Sequence, residues 1–253
     1  MALKRIDYDQ AQHSVYAKGR QMPPGALARW MGRFADQLPT TRPLTILDLG
    51  SGVGRLTPAL AETFGGPVYG VEPADRMREI AETTATHPAV RYLKGEAAYI
   101  PLPDRSVDAV LMFLSFHHVP DRAAGAVEIA RVLRPGGRVL VRSPFRDRMG
   151  GNWFYKYFPG AEAIEKEMFP TLAEVTGVFA AAGLEVRSLI QVEEIYAANE
   201  AEAAERLKLR AISTFEHMSE AEIEAGFARL DAKIAQGADP KPSTGISDLL
   251  VLG

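Results

Sequence analysis

The fold of this chain is decided by the stretch Leu47-Asp48-Leu49-Gly50-Ser51-Gly52-Val53-Gly54-Arg55. The apolar run that leads into it from Leu44 predicts a buried strand, and residues 56–64 after it predict an amphipathic helix. The glycines therefore lie on a strand-to-helix turn, where the backbone can take positive φ and approach a ligand closely. The unpaired N–H groups of the helix start add donors. We expect a nucleotide-cofactor site here; the alternative is a tight turn without a ligand.

The spacing of the glycines separates two kinds of cofactor. Gly50, Gly52 and Gly54 form a GxGxG pattern, with Asp48 two residues before it, whereas a dinucleotide-binding turn has the spacing GxGxxG. The stretch resembles motif I of the class I S-adenosylmethionine (SAM)-dependent methyltransferases. The resemblance implies SAM as the cofactor. It also implies that Asp48, Ser51 and the three glycines belong to the cofactor site.

The composition is that of an ordinary globular protein. The 253 residues are 47% hydrophobic and 24% charged, which allows one large domain or one domain with a cap. A formal net charge of −3 disfavours nucleic acid or an anionic membrane as the main partner. Cysteine is absent, which excludes disulfides and a thiolate nucleophile. We find no signal peptide or membrane span and expect a cytoplasmic monomer or homodimer.

Strands and helices alternate along the chain. Further strands are predicted at 67–72, 90–94, 106–114, 138–143, 184–191 and 245–252, and helices at 75–86, 121–133, 171–182, 199–215 and 219–236. Strands separated by helices predict a parallel sheet with right-handed crossovers. With the resemblance, this predicts an α/β fold, a Rossmann-like seven-stranded, mostly parallel sheet with helices on both faces. We expect an N-terminal helical cap at 1–43, a SAM-binding core at 44–198, a helical insert at 199–240 and the final core strand at 241–253.

A carboxylate ends the second predicted strand. Glu72 can accept hydrogen bonds from both hydroxyls of a ribose, at about 1.5–3 kcal/mol each. NAD enzymes use the same position, so Glu72 does not separate the cofactors, and a solvated strand end is the alternative. The following residues resemble the segment after motif II, which implies cofactor contacts for Pro73 and Met77. Met77 is equally compatible with a core position.

The third predicted strand is followed by Gly95-Glu96-Ala97-Ala98-Tyr99-Ile100-Pro101. This stretch resembles the family sequence G-D/E-A-x-x-L-P. In that family the acid accepts a hydrogen bond from the adenine amino group, and the next backbone N–H binds a ring nitrogen. The resemblance gives these roles to Glu96 and Ala97, although the family more often has Asp at the first position.

The fourth predicted strand ends in Phe113-Leu114-Ser115-Phe116-His117-His118. This resembles motif IV of the small-molecule methyltransferases, which implies that Phe113, Leu114 and Ser115 lie beside the methionine part of SAM. Histidine is the side chain whose ordinary pKa lies near neutral pH, and one of these two is a candidate general base. His118 is the first choice and His117 the second. The alternative is that one caps the neighbouring helix and the other packs against the pocket.

Two other regions are candidates for binding. In similar proteins an N-terminal helix closes over the cofactor, which implies cofactor contacts for Tyr16 and Arg20; an exposed helix face is the alternative. A dense aromatic segment follows the fifth strand, where the acceptor site lies in this fold. Its members are expected to line an apolar substrate pocket: Trp153, Phe154, Tyr155 and Phe158.

These features predict a methyltransferase that transfers the methyl group of SAM to O, N or C of a small molecule. A non-catalytic SAM-binding regulatory protein and an NAD(P)-dependent oxidoreductase are the alternatives. No Asp/Asn/His cluster stands at metal-ligand spacing, so we expect no metal site. The sequence does not identify the acceptor.

Overall fold

The computed structural model describes Met22 and residues 25–253. Tyr16 and Arg20, two of the predicted cofactor contacts, lie outside the described residues. Within residues 25–253 no helix combines the length and the apolar character that crossing a bilayer requires.

Seven strands form one sheet in the order β3-β2-β1-β4-β5-β7-β6. Strand β7 is antiparallel to both of its neighbours, and the other pairs are parallel. This confirms the predicted seven-stranded, mostly parallel sheet. The strands are β1 Leu44–Leu49, β2 Gly65–Glu72, β3 Val90–Lys94, β4 Val107–Phe113, β5 Leu133–Arg142, β6 Val186–Ala197 and β7 Ser243–Leu252.

The described helices are α1 Ala26–Ala35, α2 Thr57–Phe64, α3 Asp75–Thr84, α4 Arg122–Val132, α5 Pro159–Met168, α6 Leu172–Ala181, α7 Glu200–Lys208 and α8 Glu220–Ala235. Two 3-10 turns, Phe116–His118 and Ser213–His217, complete them. Helix α5 has no counterpart in the sequence prediction. It begins with Pro159-Gly160, a pair that resembles a turn, although proline is well suited to the first turn of a helix.

The sheet has an apolar layer on each face. On one face, α1 and α2 bury Trp30, Phe34 and Phe64 against alternate residues of β1, β4 and β5. On the other face, α4 and α6 bury residues such as Phe179. Each fully buried aromatic or aliphatic side chain contributes about 1.5–3 kcal/mol. These layers hold the carboxyl ends of β1, β2 and β4 side by side at one edge.

A third apolar cluster forms a cap. It joins the segment after β5 to α5, α7 and α8. Its centre is Phe158, which is 0% exposed and whose ring centroid lies 5.1 Å from that of Phe215 and 5.2 Å from that of Phe227. Along the chain, α7 and α8 come between β6 and β7. The two strands are neighbours in the sheet, and Ala197 at the end of β6 pairs with Ser243 at the start of β7.

Candidate functional site

The glycine loop is drawn tightly against the sheet. The N–H groups of Gly50 and Ser51 donate to the Val71 carbonyl at 2.8 and 3.2 Å. Gly50 has φ +77°, and a Cβ there would lie 2.4 Å from the Cβ of Ser115. Only glycine fits this position, because a side chain would be strained and would collide with Ser115. Ser115 belongs to the segment where β4 ends, residues 113–115, which is called the β4 exit.

Tyr92 of β3 fills the space beneath the loop. Gly54 has φ +74°, and a Cβ there would lie 2.3 Å from the Tyr92 hydroxyl oxygen. That hydroxyl donates to the Ala85 carbonyl at 2.8 Å, at the end of α3. Burial raises the pKa of Tyr92 to about 12. The phenol therefore stays neutral and ties the loop to α3.

Asp48 supports the loop from the end of β1. It is 2% exposed, and the Thr57 hydroxyl donates to its Oδ2 at 2.7 Å. Burial raises the pKa of Asp48 to about 6, against the lowering effects of the Thr57 hydrogen bond and of the Arg55 charge. Ser51, the remaining predicted loop residue, is also buried, and its hydroxyl faces Gly70 of β2.

Glu72 connects the loop to the start of α3. It is 7% exposed; its Oε2 accepts the Gly52 N–H and its Oε1 accepts the Ala74 N–H, both at 2.9 Å. Of the predicted residues after it, Pro73 is exposed and Met77 is buried with Val53 and Ala74. A fixed carboxylate thus stands next to the middle glycine.

A tight turn follows β3. Glu96 and Tyr99 exchange backbone hydrogen bonds of 3.2 and 3.0 Å. The Glu96 side chain is exposed, whereas Ala97 is buried. Since β3 pairs in parallel with β2, with Lys94 opposite Glu72, this turn lies at the same edge as the loop.

The β4 exit is held by its neighbours on both sides. Leu114 has φ +59°, a left-handed conformation that is uncommon for leucine. Its N–H donates to the Arg142 carbonyl at 2.8 Å. The Ser115 hydroxyl donates to the Leu49 carbonyl at 2.7 Å. Phe113 is almost fully buried. The structure thus brings Phe113, Leu114 and Ser115 next to the glycine loop.

The histidine pair follows directly. The ring centroids of His117 and His118 are 3.9 Å apart, and His117 also meets the Phe169 ring edge-on at 4.6 Å. The N-cap residue of α4 is Asp121, whose carboxylate accepts the Ala124 N–H at 2.9 Å. The capping role considered for a histidine therefore belongs to Asp121.

The aromatic segment divides into two kinds of position. Phe158 and Phe154 are buried in the cap, whereas Trp153 and Tyr155 are half-buried. The Tyr155 hydroxyl donates to Glu165 at 2.5 Å, and burial raises the pKa of Tyr155. Among the residues that the structure describes, no three His, Cys, Asp or Glu side chains gather to hold a metal.

Comparisons with known proteins agree with this geometry. A sequence profile of the family described as "Methyltransferase domain" matches residues 47–141. A demethylmenaquinone methyltransferase of Thermus thermophilus is 33% identical over 189 residues, which cover 64% of this chain and 84% of that protein. The chain belongs to the class I SAM-dependent methyltransferase family.

Further relatives match different shares of the chain. An uncharacterized methyltransferase of Mycobacterium tuberculosis is 40% identical over 137 residues, 54% of this chain and 52% of that protein. The chain thus matches about half the length of that relative. A 27-O-demethylrifamycin SV methyltransferase of Amycolatopsis mediterranei is 29% identical over 217 residues, 82% of this chain and 78% of that protein.

A solved structure extends the likeness to the whole fold. A methyltransferase from an antibiotic biosynthesis pathway of Anabaena variabilis superposes with a TM-score of 0.74 at 22% identity, covering 92% of this chain and 98% of that one. SAM is the cofactor of the family to which the chain belongs. The site suits it, because Glu72 offers a buried carboxylate to adjacent hydroxyls and the glycines leave the loop backbone free of side chains.

Two residues near the candidate site, Tyr92 and Glu165, belong to no sequence motif and were not predicted. Tyr92 meets Gly54 only after β3 has joined the sheet. Glu165 lies on α5 and also accepts the Thr214 hydroxyl at 2.7 Å.

Proposed function

We propose that the protein transfers the methyl group of SAM to O, N or C of a small-molecule acceptor. One observation carries the proposal: the glycine loop, Glu72 and the β4 exit converge at one edge of the sheet, with Ser115 against Gly50 and Glu72 bonded to Gly52. When bound, SAM supplies an activated sulfonium methyl group.

We assign the cofactor contacts along that edge. Glu72 takes the ribose hydroxyls, and the two backbone N–H groups from which it already accepts hydrogen bonds keep its carboxylate oriented. Glu96 and the Ala97 N–H take the adenine edge. The other proposed contacts are Pro73 and Met77 near the adenosine, and Phe113, Leu114 and Ser115 near the methionine part, with Tyr16 and Arg20 added by the family resemblance.

Catalysis in this proposal comes mainly from positioning. Holding two reactants in line can supply up to about 7–11 kcal/mol, so a base is an addition and not a requirement. His118 is the proposed base, because His117 is packed against Phe169. His118 is the next residue along the chain. Its backbone N–H donates to the Ser115 carbonyl at 3.0 Å.

The proposed acceptor is a small apolar molecule with a ring. Half-buried Trp153 and Tyr155 border the cap's aromatic cluster, which suits an apolar ligand. The relative named for demethylmenaquinone supports an acceptor of this general kind.

Calorimetry with S-adenosylhomocysteine tests the cofactor assignment. We expect micromolar binding of S-adenosylhomocysteine and no binding of NADH. Gly52→Leu should abolish the binding, because Gly52 has φ +57° and its N–H is bonded to Glu72. Binding of NADH in place of S-adenosylhomocysteine would overturn the proposal.

Radiolabelled SAM with a panel of phenols, hydroquinones and amines tests the transfer. His118→Ala should lower turnover with unchanged S-adenosylhomocysteine affinity, and His117→Ala is its matched comparison. Equal turnover in His118→Ala and the wild type would dismiss the base. A protein that binds S-adenosylhomocysteine and methylates none of the panel or a metabolite extract would be the regulatory alternative.

A further inference from the structure

A buried polar cluster lies beyond the carboxyl end of β5. Arg142 and Glu194 are each 8% exposed and form an ion pair. Glu194 also accepts the Trp30 indole N–H at 2.7 Å and the Ser247 hydroxyl. Ser247 in turn accepts a guanidinium N–H of Arg142 at 2.7 Å. These four residues, the Arg142–Glu194 cluster, join α1 to β5, β6 and β7.

Glu194 is charged in this cluster. Burial opposes its ionisation, but the charge of Arg142 and the hydrogen bonds from Ser247, Arg142 and Trp30 outweigh burial and hold its pKa below the ordinary value. A buried ion pair of this kind is weak evidence for stability, because apolar residues of similar volume often stabilise a fold as well or better.

The guanidinium of Arg142 also contacts two aromatic rings. Its Cζ lies 5.2 Å from the Phe113 ring centroid and 5.9 Å from that of Trp30. Trp30 meets Phe113 edge-on at 5.1 Å. Among the described residues, the buried Nε of Arg142 has no hydrogen-bond partner. The Phe113 and Trp30 rings are neighbours of the guanidinium. Each ring attracts the cation, because a cation against an aromatic face is stabilised.

Arg142 therefore holds the β4 exit in two ways. Its guanidinium packs against the ring of Phe113, the last residue of β4, and its carbonyl accepts the N–H of left-handed Leu114 at 2.8 Å. The next residue, Ser115, abuts Gly50. A shift of Phe113 would consequently move the segment that borders the glycine loop.

We propose that Arg142, held by Glu194, is a positioning residue for methyl transfer. It fixes Phe113 and the β4 exit against the glycine loop, where the methionine part of SAM binds. This inference rests on the proposed function in one respect, the assignment of Phe113 to Ser115 to that part of the cofactor.

A double variant separates positioning from folding. Either single apolar substitution leaves a buried charge without its partner, whereas Arg142→Met with Glu194→Gln removes both charges and keeps an amide oxygen that accepts the Trp30 N–H and the Ser247 hydroxyl. We expect its thermal midpoint to stay within about 3 °C of the wild type or to rise. Its affinity for S-adenosylhomocysteine, measured by calorimetry, should fall at least about tenfold.

Arg142→Lys is the second variant. It keeps a cation for Glu194 but lacks the planar group that stacks on Phe113 and Trp30, and we expect about fivefold weaker S-adenosylhomocysteine binding. Arg148→Lys is the matched control, because Arg148 pairs with buried Asp248 at 2.7 Å and no aromatic contact of Arg148 is found among the described residues. It should bind as the wild type does.

The outcomes are distinct. Absence of S-adenosylhomocysteine binding in the wild type would refute the proposed function. Wild-type binding together with unchanged affinity in a folded double variant, or in Arg142→Lys if the double variant does not fold, would overturn the positioning role. Equal losses in Arg142→Lys and Arg148→Lys would also overturn it, since the effect would not depend on Phe113.

Discussion

At the scale of single residues, the members of the glycine loop and the side chains that face them form one unit. Gly54 is needed because Tyr92 occupies the space of its side chain, and Gly50 because Ser115 does. The GxGxG spacing was sufficient to predict the loop. It was not sufficient to predict Tyr92 or the Arg142–Glu194 pair, whose members are brought together only by strand order and lie far apart along the chain.

Gly54→Ala should destabilise the protein and abolish S-adenosylhomocysteine binding. The left-handed backbone costs about 1–2 kcal/mol for a residue with a side chain, and the added Cβ collides with Tyr92 and Ala85. Gly65→Ala is the control, since Gly65 has φ +70° but open space around it. It should lose only the strain energy and keep its affinity; equal affinity losses in both variants would contradict the packing argument. Urea unfolding and calorimetry measure the two quantities.

Asp48→Asn should change the pH dependence of stability. The folded-state pKa of Asp48 is about 6, against an ordinary value of 3.8, so the folded state binds the proton more tightly than the unfolded state. Stability therefore falls as pH rises from about 4 to about 6, and the full cost of up to about 3 kcal/mol is present above that range.

Asparagine carries no such cost. The free energy of unfolding of Asp48→Asn minus that of the wild type should therefore be larger at about pH 8 than at about pH 4. Urea titrations at both pH values give this difference, in which other titrating groups cancel. An equal difference in unfolding free energy at both pH values would show that ionisation of Asp48 does not destabilise the folded state.

At the scale of elements, α5 connects the cap to the β4 exit. It begins in the aromatic cluster at Pro159 and ends at Met168, next to the Phe169 that packs on His117. Apolar periodicity located α2, α3, α4, α6 and α8 to within a few residues, whereas the helix predicted at 199–215 ends at Lys208. It did not locate α5, because Pro159-Gly160 reads as a turn and the helix is buried through only Ala161 and Glu165.

Gly226→Ala should disrupt the cap locally. Gly226 lies in α8, where a Cβ would come within 2.1 Å of the Phe158 ring, and overpacking of this kind costs about 1–3 kcal/mol. Gly177→Ala in α6 is the matched control, because nothing lies within 4 Å of its Cβ position. It should stabilise by about 0.5–1 kcal/mol. Thermal unfolding of both variants checks the prediction, and destabilisation by Gly177→Ala would count against it.

At the scale of the whole molecule, the cap helices α7 and α8 interrupt a hairpin. Ala197 and Ser243 are register partners in the β6–β7 pair, so the chain leaves and re-enters the sheet at neighbouring points. The alternation of strands and helices predicted the parallel part of the sheet. It could not give the register of this hairpin, because strand pairing across a long insertion depends on contacts that the local pattern does not contain.

Replacement of residues 198–242 by a short Asn-Gly turn should leave the sheet intact. We expect S-adenosylhomocysteine affinity within about threefold of the wild type and stronger binding of a hydrophobic dye, because Phe154 and Phe158 lose their cover. Deletion of β7 is the contrasting variant and should prevent folding, since its Leu249, Leu250 and Leu252 are fully buried. Loss of cofactor affinity in the first variant would mean that the cap is required for the core.

The place of β7 has a consequence for biosynthesis. The ribosome makes β7 after the other six strands, yet β7 lies between β5 and β6 in the sheet. Until it emerges, the nascent chain keeps an open strand edge on β5 and exposes apolar surface, which is the state most exposed to aggregation. Chaperone dependence during synthesis should therefore be greatest just before β7 leaves the exit tunnel.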